Sequence, residues 1–313
     1  MGKKNPFARP TTPPVVAPVP VCQLGQRCHV NGKGLTTFGT KFPIATVQSL
    51  ASCSIQLCTP STSGGADTRV ASGVLITSQV ALFAAHSVSS GISTIKVLMD
   101  FECNKATAPP GMRFQYQSGG WPACTSLATV TQAVEVKTLE ISDSNEFDYA
   151  MVLIKWNSVS GSNTVSLPRV PTLPKPSFNF SNEMLLIGHP DDSSNQGEPT
   201  QAVAFKVVKV RGPNPNTNKD DCFGYGEFQF TQGTGFSGGP VYNDSGGLVG
   251  LLKGSSGGTI PGLRPQDFAF LNLGLCAGKT SNDPRRGRLS QWFSTGNPLK
   301  PGDGGAATPP TFV

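Results

Sequence analysis

Eleven short runs rich in valine, threonine, phenylalanine and serine, each cut off by glycine or proline, constrain this chain more than any other feature. Runs of that length and β-branched content predict strands rather than helices. The first five are ATVQSLASCSIQL, ASGVLITSQVALFAAHSV, STIKVLMDFEC, ATVTQAVEVKTLEI and YAMVLIKW. Six more follow: EMLLIGHP, QAVAFKVVKVRG, FGYGEFQFTQ, GGPVYN, GGLVGLLKG and DFAFLNLG. Between the sets lies NSVSGSNTVSLPRVPTLPKPSF, where four prolines interrupt any ladder, so a boundary is expected within residues 157 to 178. The result is an all-β chain with two β units of comparable size, the first over residues 41–165 and the second over 166–295. One segment reads as a helix. Asp283 can cap it, Pro284 suits its first position, and Leu289, Trp292 and Phe293 repeat at helical spacing, which predicts a C-terminal helix packed on the second unit.

At 313 residues, with 36 glycines and 27 prolines, the chain can bury a sizeable core. Residues 1–40 are rich in proline and threonine and predict an extended, flexible arm; residues 296–313 predict a flexible tail. The net charge of +6 is scattered or placed near the ends, as in Lys3, Lys4, Arg9, Arg285, Arg286 and Arg288. Without basic residues interleaved with aromatics, it argues against nucleic acid as a partner. Eight cysteines are compatible with disulfides, but the gaps of five residues between Cys22 and Cys28 and four between Cys53 and Cys58 do not suit a zinc knuckle. No metal or other cofactor is expected. Prolines break the apolar part of the N-terminus, Pro6 stands where a myristoylation motif needs serine or threonine, and no apolar run reaches membrane-spanning length. These features slightly favour a cytoplasmic location over a secreted one. Oligomeric state is not legible.

Chemistry concentrates in GTGFSGGPV, residues 233–241. A serine hydroxyl such as that of Ser237 is a weak nucleophile and needs a histidine base, itself oriented by a carboxylate. Of three histidines, His29 lies in the proline-rich arm and His189 at a strand end in LLIGHPDD, where a structural role fits. His86 ends VLITSQVALFAAHSV behind the small residues Ala84 and Ala85, which would let the imidazole reach a crevice. Asp148, in EFDYAMVLIKW, immediately precedes an apolar strand, where an unpaired charge is costly and a histidine N–H would satisfy it. The N–H groups of Gly235 and Ser237 are candidate donors to an oxyanion, while Gly238 and Gly239 leave room for close substrate approach.

AAHSV, FDYA and GTGFSGGPV occur in the His, Asp, Ser chain order of the chymotrypsin-like serine peptidases, and the chain resembles that family over residues 45–295. SGVLITSQVALFAAH, LLIGHP and GGLVGLLKG are closest in pattern to its bacterial branch that includes the V8-type glutamyl endopeptidases. The resemblance implies two six-stranded antiparallel β-barrels with the site between them. It implies His86 as general base and acid, Asp148 as its orienter and Ser237 as the acylated nucleophile of an endopeptidase acting on a protein or peptide substrate, in limited or regulatory proteolysis.

Departures from the family pattern are also informative. Phe236 stands directly before Ser237, where the digestive enzymes carry the Asp that pairs with a newly cut N-terminus, so activation by that insertion is not expected. Phe83 replaces the usual threonine before the Ala-Ala-His stretch. Thr231 and Gln232 occupy the base of the specificity pocket, which provides no acid to hold Arg or Lys. Lys253, Gly254 and Ser255 are expected beside an extended substrate, with Lys253 favouring an acidic residue in it. Two alternatives are a catalytically silent double-barrel binding protein and a β-rich capsid or adhesion module.

Overall fold

The computed structural model describes residues 20–32, 34–59, 68–88, 94–98, 130–142, 147–156, 183–189, 200–213, 220–227, 235–255, 262–264, 267–280 and 287–303. The fold is all-β, as the runs predict. Strands β1 (Val21–Cys22), β2 (Arg27–His29), β3 (Thr37–Phe38) and β4 (Phe42–Pro43) precede helix α1 (Ile44–Ala51). Then come β5 (Ser54–Thr59), β6 (Thr68–Leu75), β7 (Val80–Phe83), the short helix α2 (Ala85–Val88), β8 (Thr94–Leu98), β9 (Val130–Ile141) and β10 (Ala150–Trp156). The second half comprises β11 (Glu183–Gly188), β12 (Gln201–Pro213), β13 (Asp220–Glu227), β14 (Pro240–Tyr242), β15 (Leu248–Ser255) and β16 (Phe268–Asn272), followed by helices α3 (Leu273–Thr280) and α4 (Gly287–Thr295).

Strands β5 to β10 form a closed antiparallel barrel in the order β10-β7-β6-β5-β8-β9. In the second sheet, β11-β14-β15-β16-β13-β12, the long β12 also pairs with β11, so these six strands return on themselves, with β2 added beside β12. The expected boundary within residues 157–178 lies outside the described residues, but no ladder joins β5–β10 to β11–β16 among them.

Side-chain alternation explains both interiors. On β7, Ala81 and Phe83 point into the first barrel with Ile55, Leu57 and Val152, while Val80 and Leu82 join a larger cluster outside it. On β11, Met184 and Leu186 fill the second barrel with Phe205, Val249 and Phe270, while Leu185 and Ile187 join that same outer cluster. Successive residues face opposite sides of a sheet, and here both sides are buried, which is why these strands read as continuous apolar runs.

The terminal segments differ from their expectation. From Pro20 onward, the expected arm is built into the second barrel: β2 pairs with Gln201–Val203, and a Cys22–Cys28 disulfide closes the loop between them. Glu183 fastens the next turn by accepting from Thr40 N–H (2.6 Å), Thr40 Oγ1 (2.7 Å) and Lys41 N–H (3.3 Å). The first part of ATVQSLASCSIQL is α1, not strand. Pro43 precedes it, and Val47, Leu50 and Ala51 bury one helical face at three-to-four spacing. The predicted C-terminal helix is present as α4, with Leu289 and Trp292 buried. Its Arg288 N–H donates to Glu140 on β9 (3.0 Å), so it also bridges to the first barrel. Residues 296–303 are tied back by the Arg288 guanidinium, which holds both oxygens of Asp303. Cys53, Cys222 and Cys276 are buried.

The two barrels meet at Ser72 of β6. Its N–H donates to the Ser237 carbonyl (2.9 Å), its Oγ donates to the Gly235 carbonyl (2.7 Å), and the same Oγ accepts from His189 N–H (2.8 Å). The ring of His189, fully buried, contacts Ser54 Oγ (3.2 Å) and Thr200 Oγ1 (3.4 Å). This is the structural role the sequence suggests for that histidine.

Two stability predictions follow from these contacts. Ser72→Ala leaves the Gly235 carbonyl and His189 N–H without their shared partner and should cost about 2–4 kcal/mol in urea unfolding; a loss below about 0.5 kcal/mol would refute the bridge. Asp303 is opposed in its charge by burial, but the Arg288 hydrogen bond, the Lys300 N–H and the charges of Arg288 and Lys137 outweigh this and hold its carboxyl below the ordinary 3.8. A lowered carboxyl stabilises fully above its ordinary value and loses that contribution as pH falls through the lowered one. Asp303→Asn should therefore lower the melting temperature at pH 7 and narrow its gap to wild type in increasing acid, measured by calorimetry.

Candidate active site

Asp148 is held by its neighbours before it meets His86. It sits just ahead of β10, 2% exposed, with φ of 56°, a left-handed backbone uncommon outside glycine and best tolerated by Asp and Asn. Ser142, at the end of β9, fixes the next residue: its N–H donates to the Tyr149 carbonyl (2.9 Å), and its Oγ accepts from Tyr149 N–H (2.8 Å). Tyr149 Oη donates to the buried Glu140 (2.5 Å). The carboxylate is thus presented from a rigid ledge.

His86 is the second residue of α2, just beyond the end of β7. Its backbone N–H donates to Asp148 Oδ1 (2.9 Å), and its Nδ1 lies 3.0 Å from Oδ1 and 2.8 Å from Oδ2. In the neutral ring, Nδ1 facing an ionised carboxylate carries the hydrogen and leaves the lone pair on Nε2. The His86 side chain remains 39% exposed, while that of Asp148 is 1% exposed. Burial opposes the Asp148 charge, but the His86 hydrogen bond, the charges of His86 and Lys253 and the His86 N–H together hold its carboxyl below the ordinary range.

Ser237 lies across the barrel junction, in the turn before β14. Phe236 is buried in the second barrel beside Leu186 and Phe268 and anchors that turn from below. Gly238 has φ of 79°, and its N–H donates to the Leu252 carbonyl (2.8 Å). A Cβ at Gly238 would lie 2.7 Å from the Ala84 nitrogen and collide with the Ser72 carbonyl, so glycine is required by both backbone angle and space. That close approach brings Ser237 beside the chain that enters α2 and His86. Gly235 has φ of 90°, and neither its N–H nor that of Ser237 donates to an acceptor among the described residues. A half-buried hydroxyl, an imidazole whose Nδ1 faces a buried carboxylate and two N–H groups with no acceptor among the described residues are groups that acyl transfer can use.

Lys253 lies elsewhere than the sequence suggests. A β-bulge between Leu252 and Gly254 leaves it as the extra residue on β15. Its Nζ donates to Asp148 Oδ2 (2.9 Å), with the side chain only 9% exposed. Its position on an otherwise apolar strand is the sequence signal that a buried acidic partner exists. Gly254 and Ser255 pair with β16, while on its other side β15 pairs with β14 as far as Leu251 and with the Gly239 backbone at Leu252. Thr231 and Gln232 lie outside the described residues. Ser72 and Ser142, which hold the turn and the ledge, carry no motif by which sequence alone would single them out. Among the described residues, no cluster of His, Cys, Asp and Glu could hold a metal ion, and no helix is long and apolar enough to cross a membrane.

No protein-family model matches the chain, and no curated protein matches it. Among the solved structures that resemble it in part are proteases and a protease paralogue. One is the scabies mite inactivated protease paralogue S-I1, at 14% identity over 75% of this chain and 96% of that one, with a TM-score of 0.46. A second is the protease Rv3671c in an inactive form, at 14% identity over 77% of this chain and 93% of that one, TM-score 0.44. A third is the MamO protease domain from Magnetospirillum magneticum, at 14% identity over 71% of this chain and 92% of that one, TM-score 0.44.

Proposed function

We propose that the chain is a serine endopeptidase that hydrolyses peptide bonds through an acyl-enzyme on Ser237. The observation that carries the reading is the two-oxygen contact of His86 Nδ1 with buried Asp148, on the wall against which the Ser237 turn is packed. In this scheme His86 Nε2 takes the Ser237 proton as Oγ attacks the carbonyl carbon of the substrate. The oxygen that becomes negative is received by the Gly235 and Ser237 N–H groups. Collapse of the tetrahedral species breaks the C–N bond, and His86 gives its proton to the departing amine. Water, deprotonated by His86, then hydrolyses the ester. Asp148 keeps the imidazole in the required tautomer throughout and stabilises its charged form.

The substrate is a polypeptide laid in extended form along Gly254 and Ser255, whose strand meets β16 on one side. Thr231 and Gln232 are proposed to floor its side-chain pocket, which favours uncharged residues. Kinship with the V8-type branch rests on the sequence stretches alone. Because Lys253 is engaged by Asp148, a preference for acidic substrate residues is not part of the proposal.

Incubation with a diverse peptide library and mass analysis of the products tests this reading. Wild type should cleave, and Ser237→Ala and His86→Ala should each reduce kcat/KM by about 10⁴-fold or more, with the double variant hardly worse than either single one. Cleavage that survives Ser237→Ala, or a folded wild type that cuts nothing in the library, would contradict it; the second result would favour a silent binding module on the same double barrel.

A further inference from the structure

Lys253 carries a largely buried ammonium on a strand otherwise made of leucine, valine and glycine, apart from the terminal Ser255. A buried charge is tolerated only with a partner of opposite sign, and its partner is Asp148, with the ring of Phe223 5.7 Å away as a second favourable contact. The bulge at Leu252–Gly254 exists at the residue whose side chain must turn toward the first barrel, which is a recognised use of bulges. We propose that Lys253 is a positioning residue of the active site, fixing the plane of the Asp148 carboxylate and cancelling its charge, so that His86 works against a Lys–Asp pair and not a lone carboxylate. This rests on the reading of His86 and Asp148 as base and orienter.

The geometry gives each oxygen of Asp148 a separate task. Oδ1 accepts from the His86 backbone N–H and Oδ2 from Lys253, while Nδ1 of His86 lies against both. With the carboxylate pinned at both ends, it cannot rotate away from the imidazole. The electrostatic effect is opposite in kind. Among the described residues, Asp148 ahead of β10 pairs with His86, and Lys253 of β15 pairs with the same carboxylate oxygen. A cation sharing that oxygen weakens the attraction that would hold a proton on the imidazole. The base is then available at lower pH than in a pair without the lysine.

The charge and the hydrogen bond are separable by substitution. Lys253→Met removes both, Lys253→Gln keeps a donor but no charge, and Lys253→Arg keeps both. An NMR titration of the His86 imidazole in the Ser237→Ala protein reads the effect without turnover, so a chain that cleaves nothing would fail the proposed function and leave this test intact. The titration midpoint should rise by about one pH unit or more in Lys253→Met and in Lys253→Gln, and stay within about 0.3 of the parent in Lys253→Arg. In the active protein, the acidic limb of the kcat/KM profile should move the same way. If Lys253→Met does not fold, Lys253→Gln alone decides. An unmoved midpoint in the uncharged variants, or an equal rise in Lys253→Arg, would overturn the inference.

Discussion

A single buried carboxylate organises this molecule. Asp148 lies away from water and stays ionised because three donors from two parts of the chain converge on it: the His86 N–H, the His86 ring and the Lys253 ammonium. Burying a carboxylate without such partners costs several kcal/mol. The residues that supply them come from the first barrel on one side and β15 of the second on the other. The contact that satisfies the charge therefore also fixes how the two halves meet at the site.

The surrounding structure holds these groups in place. Ser142 and Glu140 secure the residue after Asp148, and Arg288 of α4 donates to the same Glu140, linking the end of the chain to the ledge that carries the acid. Across the junction, Ser72 binds the carbonyls on either side of Phe236, while Phe236 itself is sunk in the second barrel. The Ser237 turn is thus held by hydrogen bonds from the opposite barrel and by apolar packing from its own. Rigid placement of this kind is what orientation-dependent catalysis needs.

Much of this was legible in the chain because the pattern is local. Strands buried on both faces appear as unbroken apolar runs, and glycine spacing around Ser237 follows from a turn where Gly238 has no room for a Cβ. The left-handed ledge at Asp148 could not be read, since aspartate tolerates that backbone without advertising it. Helix α1 was concealed because Val47 and Leu50 suit strand or helix equally, and only Pro43 and the burial of one face decide between them. Residues 20–40, within the expected loose arm, are ordered by partners far along the chain: Glu183, Ala204 and β12. Lys253 illustrates the same limit in the site. Its charge was visible, but a bulge that turns it from a substrate path toward Asp148 depends on pairing with β16.

Phe236 also takes on a different meaning. From sequence it marks the loss of an acidic partner for a new N-terminus; in the fold it is the apolar anchor beneath Ser237, tight against Gly188. Among the described residues, the turn is held by Ser72 and by the burial of Phe236. Activation of Ser237 as a nucleophile is read by reacting the purified protein with a fluorophosphonate and locating the adduct by peptide mass mapping. A single adduct on Ser237 that disappears in His86→Ala is expected; a folded wild type that takes no label, or takes it on another residue, would show that Ser237 is not activated.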